Sequence, residues 1–225
     1  MGGVNSWEDL KFWDSGEWQV VQEKLDDLDR AKKKYNPKRE DLFAALYATP
    51  LDKVKVAFFG QDPYPDATYA TGLAFSIPKT IKRFPPTLVT ILNEYSTDLH
   101  YPLPLNGDLS SWASEGVLLW NVVPTCSAGL SLSHDWEDWR YLTTEMIEVL
   151  RDRGIVFVFI GSRAREYAHL IKGYGNCRVV ETAHPSPRAH LNKRLKHPFI
   201  GSRLFSTIND KLTEIGHTPV NWRLE

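Results

Sequence analysis

The sequence has few of the features that mark secreted, membrane-spanning or metal-binding proteins. Only two cysteines occur in 225 residues, which indicates a reducing compartment and excludes four-cysteine zinc and iron–sulfur sites. No run approaches the roughly 20 apolar residues of a membrane span, and the start, MGGVNSWEDLKFWD, has no apolar signal segment. The seven histidines show no spacing such as H-E-x-x-H. We therefore expect a cytoplasmic protein without a metal or cofactor.

Acidic residues are missing from one long stretch of an otherwise balanced chain. The net charge of -1 gives no global sign of nucleic-acid binding, yet no acid occurs between Thr182 and Asn209. The cations of this stretch are Arg188, Lys193, Arg194, Lys196 and Arg203. A local basic lobe of this kind could hold one length of phosphodiester backbone. A solvated surface loop is the alternative interpretation.

No linker, internal repeat or low-complexity tract divides the chain. Its length of 225 residues and its hydrophobic share of 42% are enough for one domain with a sizeable core. We expect a single domain over residues 1–225, in which residues 1–34 form a helical extension and residues 35–225 the core.

Apolar spacing predicts several helices. The predicted helices are Trp18–Lys34, Glu40–Tyr47, Thr87–Tyr95, Trp139–Arg151 and Ala164–Ile171. In the first, Val21, Leu25 and Leu28 lie on one face. Its Lys32-Lys33-Lys34 run fits a solvated last turn, favourable to the helix dipole, better than a nuclear signal.

Four short apolar runs have the pattern of fully buried strands. They are Val54–Phe59, Val117–Val123, Ile155–Ile160 and Arg178–Glu181. Each is rich in β-formers and bounded by Gly, Pro or polar residues, as buried parallel strands are. Their alternation with helices predicts an α/β fold: a single domain with a central, mostly parallel four-stranded sheet flanked by helices on both faces.

A polar segment follows or ends each predicted strand. GQDPY follows the first at Gly60–Tyr64, and Asn121 lies near the end of the second. Gly161-Ser162 follows the third and HPSP, at His184–Pro187, follows the fourth. Ligands of open α/β sheets bind beyond the carboxyl ends of the strands. The four segments are therefore expected to converge on one site.

Each of these residues also has a purely structural interpretation. GQDPYPD, from Gly60 to Asp66, could be an ordinary β-turn, since Gly and Asp-Pro are turn residues. Asn121 in LLWNVV could tie strand to loop, or it could read a polar ligand edge such as that of a pyrimidine. Left unpaired it would cost about 1–3 kcal/mol. Phe75 in GLAFSIP is either a core residue or a floor on which a base stacks.

Motifs of several enzyme classes are missing. There is no G-x-S-x-G, and Ser133-His134-Asp135 is only adjacent in sequence, not a triad. There is no Walker loop and no G-x-G-x-x-G. The remaining candidates are a carboxylate, Asp62, and an imidazole, His184. A carboxylate can orient a water and stabilise an oxocarbenium ion, while a hydrogen-bond donor stabilises the leaving group. Such a pair suits cleavage of a bond whose leaving group is already good.

Together these segments resemble the family 1 uracil-DNA glycosylases, the family of the bacterial, nuclear and herpesviral enzymes. The matching segments are GQDPY at Gly60–Tyr64, GLAFS at Gly72–Ser76, PPTL at Pro85–Leu88, GVLLWN at Gly116–Asn121, SH at Ser133–His134, GS at Gly161–Ser162 and HPSP at His184–Pro187. The resemblance extends from about Tyr35 to the C-terminus. GQDPY followed far downstream by HPSP is highly specific.

The resemblance implies a monofunctional enzyme that flips uracil out of DNA, hydrolyses its N-glycosidic bond and initiates base excision repair. Asp62 would orient the attacking water and stabilise the cationic sugar. His184 would donate to uracil O2 as a neutral imidazole. A non-catalytic DNA-binding or scaffold protein on the same fold is the alternative.

The resemblance also implies how the base is selected. Gln61 would line the pocket through its backbone, and Tyr64 would stand where the 5-methyl group of thymine would go. Phe75 would stack on uracil. Asn121 would bond the O4 and N3–H edge and reject cytosine, whose edge presents mismatched groups.

The resemblance extends to partners. The expected DNA contacts are Pro85, Pro86, Thr87, Gly161, Ser162, Ser186, Arg188, Lys193 and Arg194. The ligand would be uracil-containing DNA, single- or double-stranded, and a proteinaceous glycosylase inhibitor is a further expected partner of an otherwise monomeric protein.

Three positions depart from the family pattern. Pro65 and Thr71 stand where the family commonly has His, and Arg188 follows HPSP where the family has a Leu that wedges into the duplex. A guanidinium can stack and bond phosphate but does not fill the vacated stack as Leu does. Arg188 is therefore predicted only as a DNA contact. Pro65 leaves open an altered base range.

Overall fold

The computed structural model describes residues 4–190 and 196–224, in which helices and strands alternate. The strands are β1 (Tyr35–Asn36), β2 (Val56–Gly60), β3 (Val117–Asn121), β4 (Cys126–Ser127), β5 (Val156–Ile160) and β6 (Arg178–Thr182). The α-helices are α1 (Glu17–Arg30), α2 (Ala44–Ala48), α3 (Pro86–Leu99), α4 (Ser110–Ser114), α5 (Glu137–Arg151), α6 (Ser162–Arg165), α7 (Pro187–His190) and α8 (Leu204–Glu214). Short 3-10 turns cover Trp7–Asp9, Lys11–Trp13, Arg39–Asp41, Leu51–Lys53 and Ala168–Ile171.

Four of the strands form a parallel sheet in the order β3-β2-β5-β6. In its register Gly60 pairs with Asn121, Phe59 with Phe159, and Ile160 with Thr182. The carboxyl ends of the strands are therefore level, and the loops that follow them emerge at one edge. The predicted α/β fold and the predicted parallel sheet are confirmed.

Alternate residues of the central strands pack into two separate apolar layers. Ala57 and Phe59 face a cluster that also contains Trp139 of α5 and residues before and within α1, such as Phe12 and Val21. The other face, with Val56 and Phe58, packs on side chains of α3 and α8. The period of two along each strand thus places helices on both faces. Among the described helices, none is long and apolar enough to cross a membrane.

The prediction of four fully buried strands is wrong for β6. Of its five residues only Thr182 is buried, and Val179 is 36% exposed. β6 lies at one end of the sheet and carries the charged residues Arg178 and Glu181, whereas β3 at the other end is apolar up to Asn121 and packs against α2 and α4. Arg178 there forms an ion pair with Glu214 of α8.

The helix predicted over Trp18–Lys34 is shorter than its pattern indicates. α1 ends at Arg30, after which the N–H of Lys33 donates to the carbonyl of Leu28 at 2.8 Å and Lys32 adopts a φ of 53°. A left-handed residue stops a helix. The lysine run therefore lies beyond α1, not in its last turn.

The prediction of one continuous helix over Glu40–Tyr47 is wrong. A 3-10 turn and α2 are separated there by Leu42 and Phe43. The Phe43 ring packs edge-on against Trp13 and Trp18, with ring centroids 5.0 and 5.2 Å apart. Tertiary packing of the aromatic side chain outweighs the helical propensity of the segment.

Two further differences concern helices after β5. The predicted helix Ala164–Ile171 is divided into α6 and a 3-10 turn, because the N–H of Tyr167 donates to the carbonyl of Ala164 and tightens the chain after one α-turn. α8 was not among the predicted helices, although Leu204, Ile208 and Leu212 carry the helical spacing and are buried.

Candidate active site

A cavity of about 200 Å³ opens at the carboxyl edge of the sheet. It is lined by the six residues that the sequence indicates for catalysis and base binding, Gln61, Asp62, Tyr64, Phe75, Asn121 and His184. The cavity is smaller than the roughly 300–1,000 Å³ of drug-sized ligand sites. Its size therefore favours a single ring over a larger ligand.

The Asp62 carboxylate is held by the segment that follows β4. Its Oδ2 accepts hydrogen bonds from the Ser131 hydroxyl at 2.6 Å and from the Leu132 N–H at 2.7 Å. Its Oδ1 accepts from the side-chain amide of Gln61 at 2.9 Å. Three donors on one carboxylate fix its plane, so the acceptor that remains on Oδ1 has a defined direction.

The His184 ring has a defined donor nitrogen. Its Nδ1 accepts a hydrogen bond from the Ser186 N–H at 3.1 Å. A neutral imidazole that accepts at Nδ1 carries its proton at Nε2. The ring packs on Gly161, where an added Cβ would lie 3.2 Å from His184 Cβ. Gly161 has a φ of 90°, so both its backbone conformation and this close approach require glycine.

Asn121 has the environment of a ligand-binding amide. It is 7% exposed, and none of the hydrogen bonds between described residues engages its side chain. The residue lines the cavity, so a ligand bound there would supply hydrogen-bond partners to the amide. This favours a role for Asn121 in recognising a base over a purely structural contact between strand and loop.

Phe75 and Tyr64 are joined through one hydrogen bond. The Tyr64 hydroxyl donates to the Phe75 carbonyl at 3.1 Å. Burial raises the pKa of Tyr64, which therefore stays a neutral donor. Phe75 has a φ of 67°, an uncommon conformation for a residue with a side chain. Backbone strain of this kind is concentrated at functional sites.

The GQDPYPD segment bends at Gln61-Asp62 and at Pro65-Asp66, without a backbone hydrogen bond of a β-turn inside it among the described residues. The Pro65 carbonyl accepts from the Asn36 side-chain amide at 2.6 Å and from the Gly129 N–H at 2.9 Å. The Asp66 carboxylate accepts a hydrogen bond from the Thr68 N–H at 2.9 Å, and a turn begins at this residue. The backbone carbonyl of Pro65 thus anchors the segment to its neighbours, and the structure gives no reason for proline at this position.

The predicted DNA contacts lie at different distances from the cavity. Thr87, in the first turn of α3, lines it. Ser162 is exposed at the start of α6, and Arg188 is exposed in α7, which contacts α3. Lys193 and Arg194 lie outside the described residues.

Three residues that hold the site were not identified from the sequence. Ser131 and Leu132 contact Asp62 from about 70 positions downstream, and Asn36 contacts the turn from the preceding β1. No spacing in the sequence links these residues to Asp62. Within residues 4–190 and 196–224, no group of His, Cys, Asp or Glu side chains has an arrangement that could hold a metal ion.

Comparison with known proteins matches most of the chain to one family. The model of the uracil DNA glycosylase superfamily matches residues 47–213. The chain is 41% identical to a uracil-DNA glycosylase of Mycobacterium sp. (strain KMS) over 79% of this chain and 77% of that protein. It is 40% identical to uracil-DNA glycosylase 2 of Streptomyces avermitilis, over 87% and 84% of the two chains.

Solved structures agree with the sequence relatives. The crystal structure of mimivirus uracil-DNA glycosylase superposes with a TM-score of 0.85 at 26% identity, covering 95% of this chain and 85% of that one. A variant of the mimivirus protein in complex with UGI superposes with a TM-score of 0.84 at 26% identity, over 95% and 87% of the two chains. The extent of these matches shows that the chain belongs to the uracil DNA glycosylase superfamily.

Proposed function

We propose that this protein hydrolyses the N-glycosidic bond between uracil and deoxyribose in DNA and leaves an abasic site, the first step of base excision repair. The observation that carries the proposal is the cavity in which Asp62, Asn121 and His184 meet. A flipped base would enter it, because the glycosidic bond cannot be reached within the duplex. Family membership supports the same reaction.

Asp62 acts on the sugar side of the bond. Its anchored carboxylate orients the attacking water and stabilises the positive charge that develops on deoxyribose. Because the carboxylate is held before substrate arrives, no reorganisation is needed as that charge forms. One carboxylate is enough when the leaving group is a good one.

His184 acts on the base side of the bond. With Nδ1 accepting from Ser186, Nε2 carries the proton and would donate it in a hydrogen bond to uracil O2, on which negative charge develops as the bond breaks. A neutral imidazole can provide this donor and keep its proton throughout.

The pocket selects uracil by shape and by hydrogen bonds. Asn121 bonds the O4 and N3–H edge, which cytosine does not match, and Phe75 stacks on the ring. Tyr64, held by its bond to the Phe75 carbonyl, excludes a 5-methyl group. The backbone of Gln61 completes the lining.

The protein acts on uracil-containing DNA. Its predicted contacts are Pro85, Pro86, Thr87, Gly161, Ser162, Ser186, Arg188, Lys193 and Arg194. A proteinaceous inhibitor is a further partner, supported by the mimivirus complex with UGI. We propose a cytoplasmic monomer, folded as a single domain in which residues 1–34 extend a catalytic core.

A non-catalytic scaffold on this fold is the competing function. The joint presence of Asp62, Asn121 and His184 in one cavity opposes it, because binding DNA alone does not need all three. The Pro65 departure suggested an enzyme that excises bases other than uracil. Tyr64 and Asn121 match the family pattern and oppose this hypothesis. Assays with uracil, mismatched thymine and hypoxanthine substrates separate these alternatives.

The decisive experiment measures uracil release from single- and double-stranded DNA. We expect Asp62→Asn combined with His184→Leu to abolish release. Ser111→Ala, an exposed serine on α4, serves as a control and keeps full activity. Full activity of the double variant would contradict the assignment of these residues.

A further inference from the structure

Ser131 lies in a short loop that is closed by its own hydrogen bonds. The N–H of Ser127 donates to the Ser133 hydroxyl at 2.7 Å, and that hydroxyl donates to the Leu130 carbonyl at 2.8 Å. The N–H of Leu130 donates back to the Ser127 carbonyl at 3.0 Å. Ser127 also pairs with Tyr35 of β1. The loop therefore presents Ser131 from a framework with little freedom of its own.

The backbone conformation of Leu132 directs its N–H to the same carboxylate. Its φ of 57° lies in the left-handed region, which few residues with a side chain adopt. Its N–H donates to Asp62 Oδ2 at 2.7 Å, beside the Ser131 hydroxyl at 2.6 Å. The uncommon conformation thus occurs at a residue that contacts a site carboxylate, as strained residues at functional sites do.

The Ser131 hydroxyl and the Leu132 N–H both donate to one oxygen of Asp62, which makes its two oxygens different. Both acceptor positions of Oδ2 are occupied by Ser131 and Leu132, whereas Oδ1 accepts only from Gln61 among the described residues. Oδ1 is then the oxygen with capacity to accept from a water. The side-chain bond from Ser131 and the backbone bond from Leu132 together decide which oxygen that is.

We propose that Ser131 is a positioning residue for hydrolysis: its hydroxyl, with the N–H of Leu132, occupies Oδ2 of Asp62, so that the acceptor position left on Oδ1 beside the Gln61 bond orients the attacking water. The inference rests on the proposed function. Ser131 also lines the cavity, but its hydroxyl proton is donated to Asp62, so we expect it to act through that carboxylate. The hydroxyl therefore contributes to the chemical step and not to DNA affinity.

The test compares Ser131→Ala, Ser131→Thr and Ser111→Ala in uracil release from double-stranded DNA. We expect Ser131→Ala to lower kcat roughly tenfold, the effect of losing a hydrogen bond to a charged group, with KM unchanged. Ser131→Thr keeps the hydroxyl and restores most of kcat. Ser111→Ala keeps wild-type kcat. An unchanged kcat in Ser131→Ala, or a higher KM at constant kcat, would overturn the proposal.

A second measurement asks whether Ser131 acts through Asp62. Single-turnover rates are compared for Asp62→Asn with and without Ser131→Ala. We expect no further loss in the double variant, because groups that act as a unit are not additive. A further tenfold loss would overturn the positioning role. A wild-type protein without uracil release would overturn the proposed function as well, whereas an active wild type with an equally active Ser131→Ala would overturn this inference alone.

Discussion

Gly60 and Asn121 are register partners at the carboxyl ends of β2 and β3, and their contact leaves no room for a side chain on Gly60. A Cβ added to Gly60 would lie 2.6 Å from Asn121 Oδ1 and 3.0 Å from Phe75 Cζ. Cβ atoms in proteins are not found this close to other heavy atoms, so the side chain of Asn121 or of Phe75 would have to move. The glycine of GQDPY therefore shapes the base-binding wall as well as ending a strand.

We expect Gly60→Ala to lower kcat/KM for uracil-DNA roughly a hundredfold, because a displacement of about 1 Å in a positioning group has effects of that size. Steady-state kinetics measure it. Gly175→Ala is the matched control, since nothing lies within 4 Å of a Cβ at that glycine. A Gly60→Ala protein with wild-type kinetics would contradict this contact.

Asn36 is expected to support both stability and activity. It is 2% exposed, and its amide donates to the Tyr64 and Pro65 carbonyls. Asn36→Ala would remove both bonds and destabilise the protein by about 1–3 kcal/mol. Urea unfolding measures the loss, and the exposed Asn5→Ala is the control. Equal unfolding free energies of the two variants would contradict the role of Asn36.

His134 is expected to make stability depend on pH. It is 3% exposed, its ring nitrogens lie 3.0 Å from the hydroxyls of Ser127 and Thr125, and burial lowers its pKa from 6.5 to about 4. Between these values the unfolded chain binds a proton that the folded protein does not. Stability is therefore complete above pH 6.5 and decreases as the pH falls towards 4.

The expected loss from His134 between pH 7 and pH 4.5 is about 2–3 kcal/mol of unfolding free energy. Urea unfolding at both pH values measures it. His134→Gln should show a smaller loss, while His169→Gln, which changes an exposed ring, should match the wild type. The same pH dependence in His134→Gln and wild type would exclude this histidine as the source.

Arg188 and Lys193 are expected to bind DNA phosphates. Replacing both with alanine should weaken binding to uracil-DNA and reduce the slope of log K against log salt by about 1.8, the value for two phosphate contacts on duplex DNA. Fluorescence anisotropy over a salt series measures the slope. Lys53→Ala is the control, because Lys53 precedes β2 and lies at the opposite edge of the sheet. An unchanged slope would refute the prediction.

The sequence by itself determined the sheet and the residues of the pocket. Runs such as Val56–Gly60 are continuous and apolar, which only strands buried on both faces require. Because parallel strands end at one edge, Asp62, Asn121 and His184 had to come together there. These two predictions depend on local pattern and on one topological rule, whereas Gln61 and Tyr64 were assigned to the pocket by resemblance to the glycosylase family.

Only the tertiary structure decided how the site is held. The structure exposes β6, whose Arg178 and Glu181 are typical of an edge strand, and packing of Phe43 interrupts a helix that its local sequence favours. The contacts of Ser131 with Asp62 and of Asn36 with Pro65 join residues far apart in sequence. Long-range hydrogen bonds leave no periodic pattern in the sequence. The anchors of the Asp62 carboxylate are therefore seen only in the folded structure, where the loops come together.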